Sequence, residues 1–268
     1  MNKTILPESR EFILVLIFCW GFFTLEHAKA QQFNSDSWIS KPAGMATMIV
    51  TYGERNSMLM STFSLLPRWE FTAAAYLYNN DNDATTDDGY STSLFAKYMF
   101  YENKARTGGF AVKFGTGLDP GYLDGDDRVK DAFQTYWTNA PVTIPFFNNK
   151  LSWDIMPGAS VTRDFGEEES TAWAFTYSTR LAWNPYSPKM AIVGEIYGSE
   201  GEIGNIPEYR IGLRWEPNPY VNLAVTYDDE FNGSNGAGFE IGLMVFPPSF
   251  FCLKGCKDEI IKKKKKDK

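Results

Sequence analysis

The sequence predicts an all-β chain, closed into an antiparallel transmembrane β-barrel of about twelve strands with long acidic loops on one end and short turns on the other. Three observations predict it. Apolar and polar residues alternate at period two from 45 to 247, and the connections alternate between long acidic loops and short turns. Beyond the first two dozen residues, no apolar run approaches the roughly 20 residues that a spanning helix needs. Closure follows because lipid offers no partner to an open strand edge. Disorder is excluded by a content of 44% hydrophobic and 16% aromatic residues, which can bury enough apolar surface to offset chain entropy.

The elements are predicted in order as follows. Residues 1–30 read as an export signal: Lys3 and Arg10, an apolar stretch over 12–23, then Ala28-Lys29-Ala30 as a small-x-small cleavage site. Residues 31–44 are expected as an N-terminal periplasmic segment, 45–247 as the barrel and 248–268 as a Lys-rich tail. Strands are expected over 45–53, 57–65, 68–77, 90–101, 110–118, 131–140, 151–156, 172–184, 189–198, 208–216, 221–228 and 239–245. The clearest is 208–216, where Tyr209, Ile211, Leu213 and Trp215 oppose Glu208, Arg210, Gly212, Arg214 and Glu216.

The acidic connections are expected over 53–56, 79–89, 119–130, 163–170, 199–205 and 229–236. The shorter turns are expected at Leu66-Pro67, 102–107, 140–150, 184–188 and Pro217-Asn218-Pro219. Tyr and Trp near strand ends fit interfacial girdles: Tyr52, Trp69, Tyr90, Tyr101, Trp173, Trp183, Tyr209, Trp215, Tyr220 and Tyr227. The tail from 254 to 268 holds eight Lys against three acids, which leaves the expected barrel with 15 basic and 27 acidic residues, a net of −12. A solvated extension is one reading of that tail, and contact with acidic partners or lipid headgroups is the other.

The polar strand face carries Arg68, Glu70, Lys97, Lys113, Asp154, Arg180, Glu195, Glu208, Arg210, Arg214 and Glu240. An Arg or Lys facing lipid at the bilayer midplane costs about 2–4 kcal/mol, so these side chains are expected to face the lumen. There they would either line a selective pore or fill a narrow lumen with ion pairs; mixed signs at neighbouring positions suit both.

The strand grammar resembles that of bacterial outer-membrane transporter-like barrels grouped with the MetA-pathway phenol-degradation proteins. The stretches that carry the resemblance are Leu66-Pro67-Arg68-Trp69-Glu70, Phe95-Ala96-Lys97-Tyr98, Gly194-Glu195-Ile196-Tyr197-Gly198, and Tyr209-Arg210-Ile211-Gly212-Leu213-Arg214-Trp215 followed by Asn218-Pro219-Tyr220-Val221-Asn222-Leu223. The resemblance spans most of 42–246 and implies an outer-membrane location and passage of small, hydrophobic compounds. It supplies no residue-level site. The partners expected are outer-membrane lipids, the barrel-assembly machinery and a small-molecule solute.

Catalysis is not expected. The single histidine, His27, lies in the segment expected to be removed, and Ser-His or Asp-His sites need an imidazole to accept a proton at neutral pH. No cofactor or metal is expected. Cys252 and Cys256 alone lack the four ligands of a structural zinc site and read as a local disulfide or two free thiols. Asp81-Asn82-Asp83 and Asp124-Gly125-Asp126-Asp127 offer calcium-type oxygens without the spacing of a calcium loop. Nucleic-acid binding has no support, because basic residues do not cluster outside the tail.

Overall fold

A computed structural model describes residues 36–78, 89–119, 134–164, 170–202, 204–232 and 236–249. The strands are β1 (Ala46–Gly53), β2 (Asn56–Leu66), β3 (Trp69–Tyr78), β4 (Gly89–Glu102), β5 (Gly109–Gly117), β6 (Thr135–Asn139) and β7 (Val142–Phe146). They continue with β8 (Leu151–Asp164), β9 (Ser170–Trp183), β10 (Met190–Gly201), β11 (Glu208–Asn218), β12 (Val221–Glu230) and β13 (Gly238–Val245). Every pairing is antiparallel, and β1 pairs with β13 from Met48↔Val245 to Gly53↔Glu240, so the sheet closes on itself. The result is a twelve-position barrel with one extra strand segment.

The extra segment arises at Ala140-Pro141. β6 and β7 both lie between β5 and β8, β6 opposite Gly158 to Thr162 and β7 opposite Leu151 to Ile155. They are two halves of one interrupted strand. Pro141 has no N–H to give the ladder, and Pro157 on β8 lacks one at the same level. The break is bridged by Ala140 N–H donating to Pro157 O and Ala111 N–H donating to Pro141 O. The sequence reading that made 140–150 a turn is corrected here: the strand resumes over Val142–Phe146, and the turn is confined to 147–150.

Alternation places large apolar residues outward along the strands, as Ile211, Leu213 and Trp215 on β11 and Ile241 and Leu243 on β13 show by their exposure. Trp183, Trp215 and Tyr101 are exposed at the short-turn ends of their strands, and Tyr52, Tyr90 and Trp173 at the opposite ends. Trp69, Tyr209, Tyr220 and Tyr227 are half-buried. Leu118 departs from the predicted pattern. Gly117 takes φ +86°, a left-handed conformation that resets the alternation, and Leu118 turns into the interior.

The interior is two-sided. On the β1–β3 and β13 side it is apolar, with Ile49, Met60, Tyr76, Leu118, Met244 and Phe246 in one cluster. From β4 through β12 it is ionised, and Glu70 on β3 and Glu240 on β13 lie where the two sides meet. The acidic connections that the sequence predicts over 79–89, 119–130 and 163–170 lie largely outside the described residues, as do the export signal, both cysteines and the Lys-rich tail.

Candidate functional site: the ionised interior and its inserted segment

Glu70, Lys97, Lys113, Asp154, Arg180, Glu195, Glu208, Arg210, Arg214 and Glu240 are all buried inside the barrel. Arg68 is the exception among the residues predicted to face the lumen. It forms the β2–β3 turn with Pro67 at φ 67°, is exposed, and directs Nη1 towards the Phe100 carbonyl 3.5 Å away. Strand parity does not extend through a turn, which is why the prediction fails there.

The buried charges follow the register. Antiparallel partners face each other across neighbouring strands, and in a barrel of tilted strands a row of partners climbs as it goes round. One such row reads Thr143 (β7), Asp154 (β8), Arg180 (β9), Glu195 (β10), Arg210 (β11) and Asp228 (β12). From Asp154 onward its charges alternate strictly in sign. Arg180 binds Asp154 Oδ2 through Nε at 2.9 Å and Nη2 at 2.7 Å, and Thr143 Oγ1 donates to Asp154 Oδ1. Arg210 binds Asp228 through Nε at 3.0 Å and Glu240 through Nη1 at 3.2 Å. Tyr197 OH lies 2.8 Å from Glu208 Oε2 and 2.5 Å from Asp228 Oδ2. Arg214 pairs with Glu216 at 3.4 Å. Opposite charges at partner positions set each of the two cations of this row between acids that the wall carries, three acids to two cations.

A second row reads Glu70 (β3), Lys97 (β4), Lys113 (β5) and Asn139 (β6). Here the alternation breaks, because Lys97 and Lys113 are direct partners of like sign. Glu70 reaches Lys97 at 2.7 Å. The remaining charge is met by Asp36, which no strand carries: its carboxylate lies 3.3 Å from Lys97 Nζ and 3.5 Å from Lys113 Nζ. Asn139, next in the row, donates Nδ2 to both Asp119 carboxylate oxygens at 2.8 Å. Gly158 makes room for it, since a Cβ there would stand 1.8 Å from Asn139 Oδ1.

Residues 36–41, part of the segment 31–44 that the sequence reading expects as N-terminal and periplasmic, therefore lie inside the barrel. The segment is set at the short-turn end. Trp38 is buried with its ring against Gly109, where a Cβ would meet it at 2.8 Å, and its backbone N–H donates to Thr143 Oγ1, 3.4 Å away. Lys41 N–H donates to Glu70 Oε1 at 2.7 Å, and its Nζ sits 4.5 Å from the centre of the Phe246 ring. Two cavities flank it. One of about 40 Å³ touches Asp36, Ile39, Met60, Lys97 and Phe246, and one of about 160 Å³ touches Trp38, Asp154, Arg180 and Arg214.

Both titratable groups of the segment are displaced from their ordinary values. Burial alone would push the Asp36 carboxyl up, but Lys97, Lys113 and the Ser37 N–H outweigh it and hold it below 3.8. Burial brings the Lys41 ammonium down to about 8, with Glu70 opposing the shift and Lys97 adding to it. Both shifts have one origin, a dry site in which each charge depends on named neighbours.

Sequence reasoning missed Asp36, Trp38, Lys41, Asp119, Asn139, Tyr197 and Asp228 as members of the site. Tyr197 and Asp228 share strand parity with Glu195 and the polar face of β12, so alternation could have found them. Asp36 lies on an irregular segment and carries no periodic signal.

These features define a closed antiparallel β-barrel with an apolar outer face and an ionised interior. No protein-family model and no curated protein matches the sequence. Among solved structures, the chain is similar to the COG4313 outer membrane channel from Pseudomonas putida F1, at 13% identity and a TM-score of 0.51, over 82% of this chain and 99% of that one. It is similar also to the NanC porin, at 8% identity and a TM-score of 0.48 over 75% and 97% of the two chains. LpxR from Salmonella typhimurium matches at 11% identity and 0.39 over 77% and 100%. At these identities the likeness is one of fold.

Proposed function

We propose that this chain is an outer-membrane channel for small molecules whose periplasmic mouth is narrowed by its own residues 36–41. The observation that carries the reading is the segment between its two cavities: what narrows the barrel there is a short irregular stretch tied to wall side chains, rather than the wall itself. A barrel serving only as an anchor has no need of a stopper. The long-loop end faces outward and the short-turn end, where the segment enters, faces the periplasm. The fold shared with the COG4313 channel supports the class. The strand grammar of the MetA-pathway proteins and the apolar side of the interior support solutes with an apolar body.

The ion-paired row from Asp154 to Asp228 favours a second reading, a filled barrel that acts through its acidic loops and basic tail. Planar-bilayer recording of the folded protein separates the two. Discrete conductance steps that enlarge when the segment is released support the channel. A folded barrel that stays silent with the segment removed supports the filled lumen.

A further inference from the structure

Lys97 and Lys113 are buried partners of like charge, and with Glu70 they sum to a single positive charge. One carboxylate within ion-pair reach balances that sum, since the buried Asp119 beside the same row is bound by Asn139 instead. Asp36 provides it from outside the wall, yet it fits Lys113 loosely: Nζ is fully buried, makes no hydrogen bond among the described residues, and has the Asp36 oxygen at 3.5 Å. Phe95 and Trp137 flank the same ammonium, with ring centres at 5.0 and 5.7 Å. The Trp137 Nε1 is likewise buried without a hydrogen-bond partner among the described residues. The Lys113 ammonium is thus held by one ion pair at 3.5 Å and two aromatic rings, whereas Arg180 and Arg210 in the other row each reach a wall carboxylate at 3.0 Å or less.

The surroundings say what else the occupant needs. The cavity of about 40 Å³ beside Asp36 is bounded by Lys97 and Glu70 on one side and by Ile49, Met60, Met244 and Phe246 on the other. Asp36, Ser37, Ile39 and Lys41 of the segment line the same cavity, and Lys97 is the ammonium of the pair that borders it.

We infer that the Lys97–Lys113 pair is a binding site for a small monocarboxylate with an apolar body, and that Asp36 occupies it as an internal stand-in when the segment is docked. The carboxylate of the solute takes the place of the Asp36 carboxylate between the two ammoniums, and its body lies against Ile49, Met60 and Met244. The inference rests on the channel reading above and gives that channel its solute class. Solute and segment then compete, so arrival of the solute favours release of the segment.

Equilibrium dialysis of the full folded barrel in detergent against labelled hexanoate tests this, with heat-dependent gel mobility confirming folding. A tethered competitor acts at an effective concentration on the order of millimolar, so Asp36→Asn is expected to bind hexanoate at least about tenfold more tightly than the unaltered chain. Hexanamide, equal in shape and uncharged, is expected not to bind, and acetate to bind more weakly than hexanoate. Adding Lys113→Met to Asp36→Asn is expected to abolish the gain, with Lys97→Met as the second variant should the first fail to fold. Equal binding of hexanamide and hexanoate, or no gain in Asp36→Asn, overturns the inference. Dialysis needs no ion flow: a barrel that conducts without binding hexanoate refutes this site alone, and one that binds hexanoate without ever conducting refutes the channel reading.

Discussion

The two charged rows of the interior differ in where the acids that meet their cations come from. From Asp154 to Asp228, signs alternate strand by strand, and each cation meets an acid that the wall itself carries. From Glu70 to Lys113 they do not, and the missing carboxylate arrives on Asp36, ahead of the first strand. A charge satisfied within the ladder is as permanent as the fold. A charge satisfied by a tethered segment is satisfied conditionally, and the condition is a place where the lumen can change.

The contrast is broken most severely by Arg210→Met. It strips the cation from between Asp228 and Glu240 and leaves buried acids uncompensated, for an expected loss of about 3–5 kcal/mol in barrel stability. A urea midpoint followed by gel mobility reads it. Lys113→Met in the other row is expected to cost less, because Asp36 and Glu70 still hold Lys97; an equal loss would erase the distinction between the rows.

Trp38→Ala addresses the segment alone. Removing the buried ring is expected to weaken docking by about 3 kcal/mol while the barrel's own urea midpoint stays unchanged. Limited proteolysis of the folded protein checks it: cleavage within 36–41 in the variant, protection in the unaltered chain. Loss of barrel stability instead would make the segment part of the wall.

Asp36→Asn exposes the net positive charge of the second row. In a salt gradient its reversal potential is expected to shift towards anion selectivity. An unchanged potential would mean that ions do not pass that row.

The smallest effect is that of pH. Asp36 has its carboxyl held below the ordinary value, so its contribution to docking is complete above about pH 3.8 and is lost as the pH falls further. Lys41 has its ammonium lowered from 10.5 to about 8, so the docked segment binds fewer protons than the free one in that window, and docking tightens as the pH rises through it. A nitroxide at Ser37→Cys, with Cys252 and Cys256 replaced by serine, should be more mobile at pH 7 than at pH 10 and most mobile below pH 3.5.

Much of the wall was legible because strand alternation is a local property. The polar faces that alternation gives hold buried charged side chains from Glu70 to Glu240, and Arg68 is exposed in the turn where the alternation ends. The break at Ala140-Pro141 was read as the start of a turn, because a proline looks the same whether the strand stops or resumes. Register is a different matter. That Lys97 and Lys113 face each other depends on which residues of β4 and β5 are partners, and nothing local to either strand states it. The need for Asp36 follows from that register, so the inserted segment became visible only with the fold.

The most direct test is single-channel conductance of the refolded barrel before and after deletion of residues 31–41, with gel mobility confirming that both fold. A small conductance in the longer chain and a clearly larger one in the shorter is the predicted result. Equal conductance would contradict the role given to the segment, and silence from both folded barrels would contradict the channel itself.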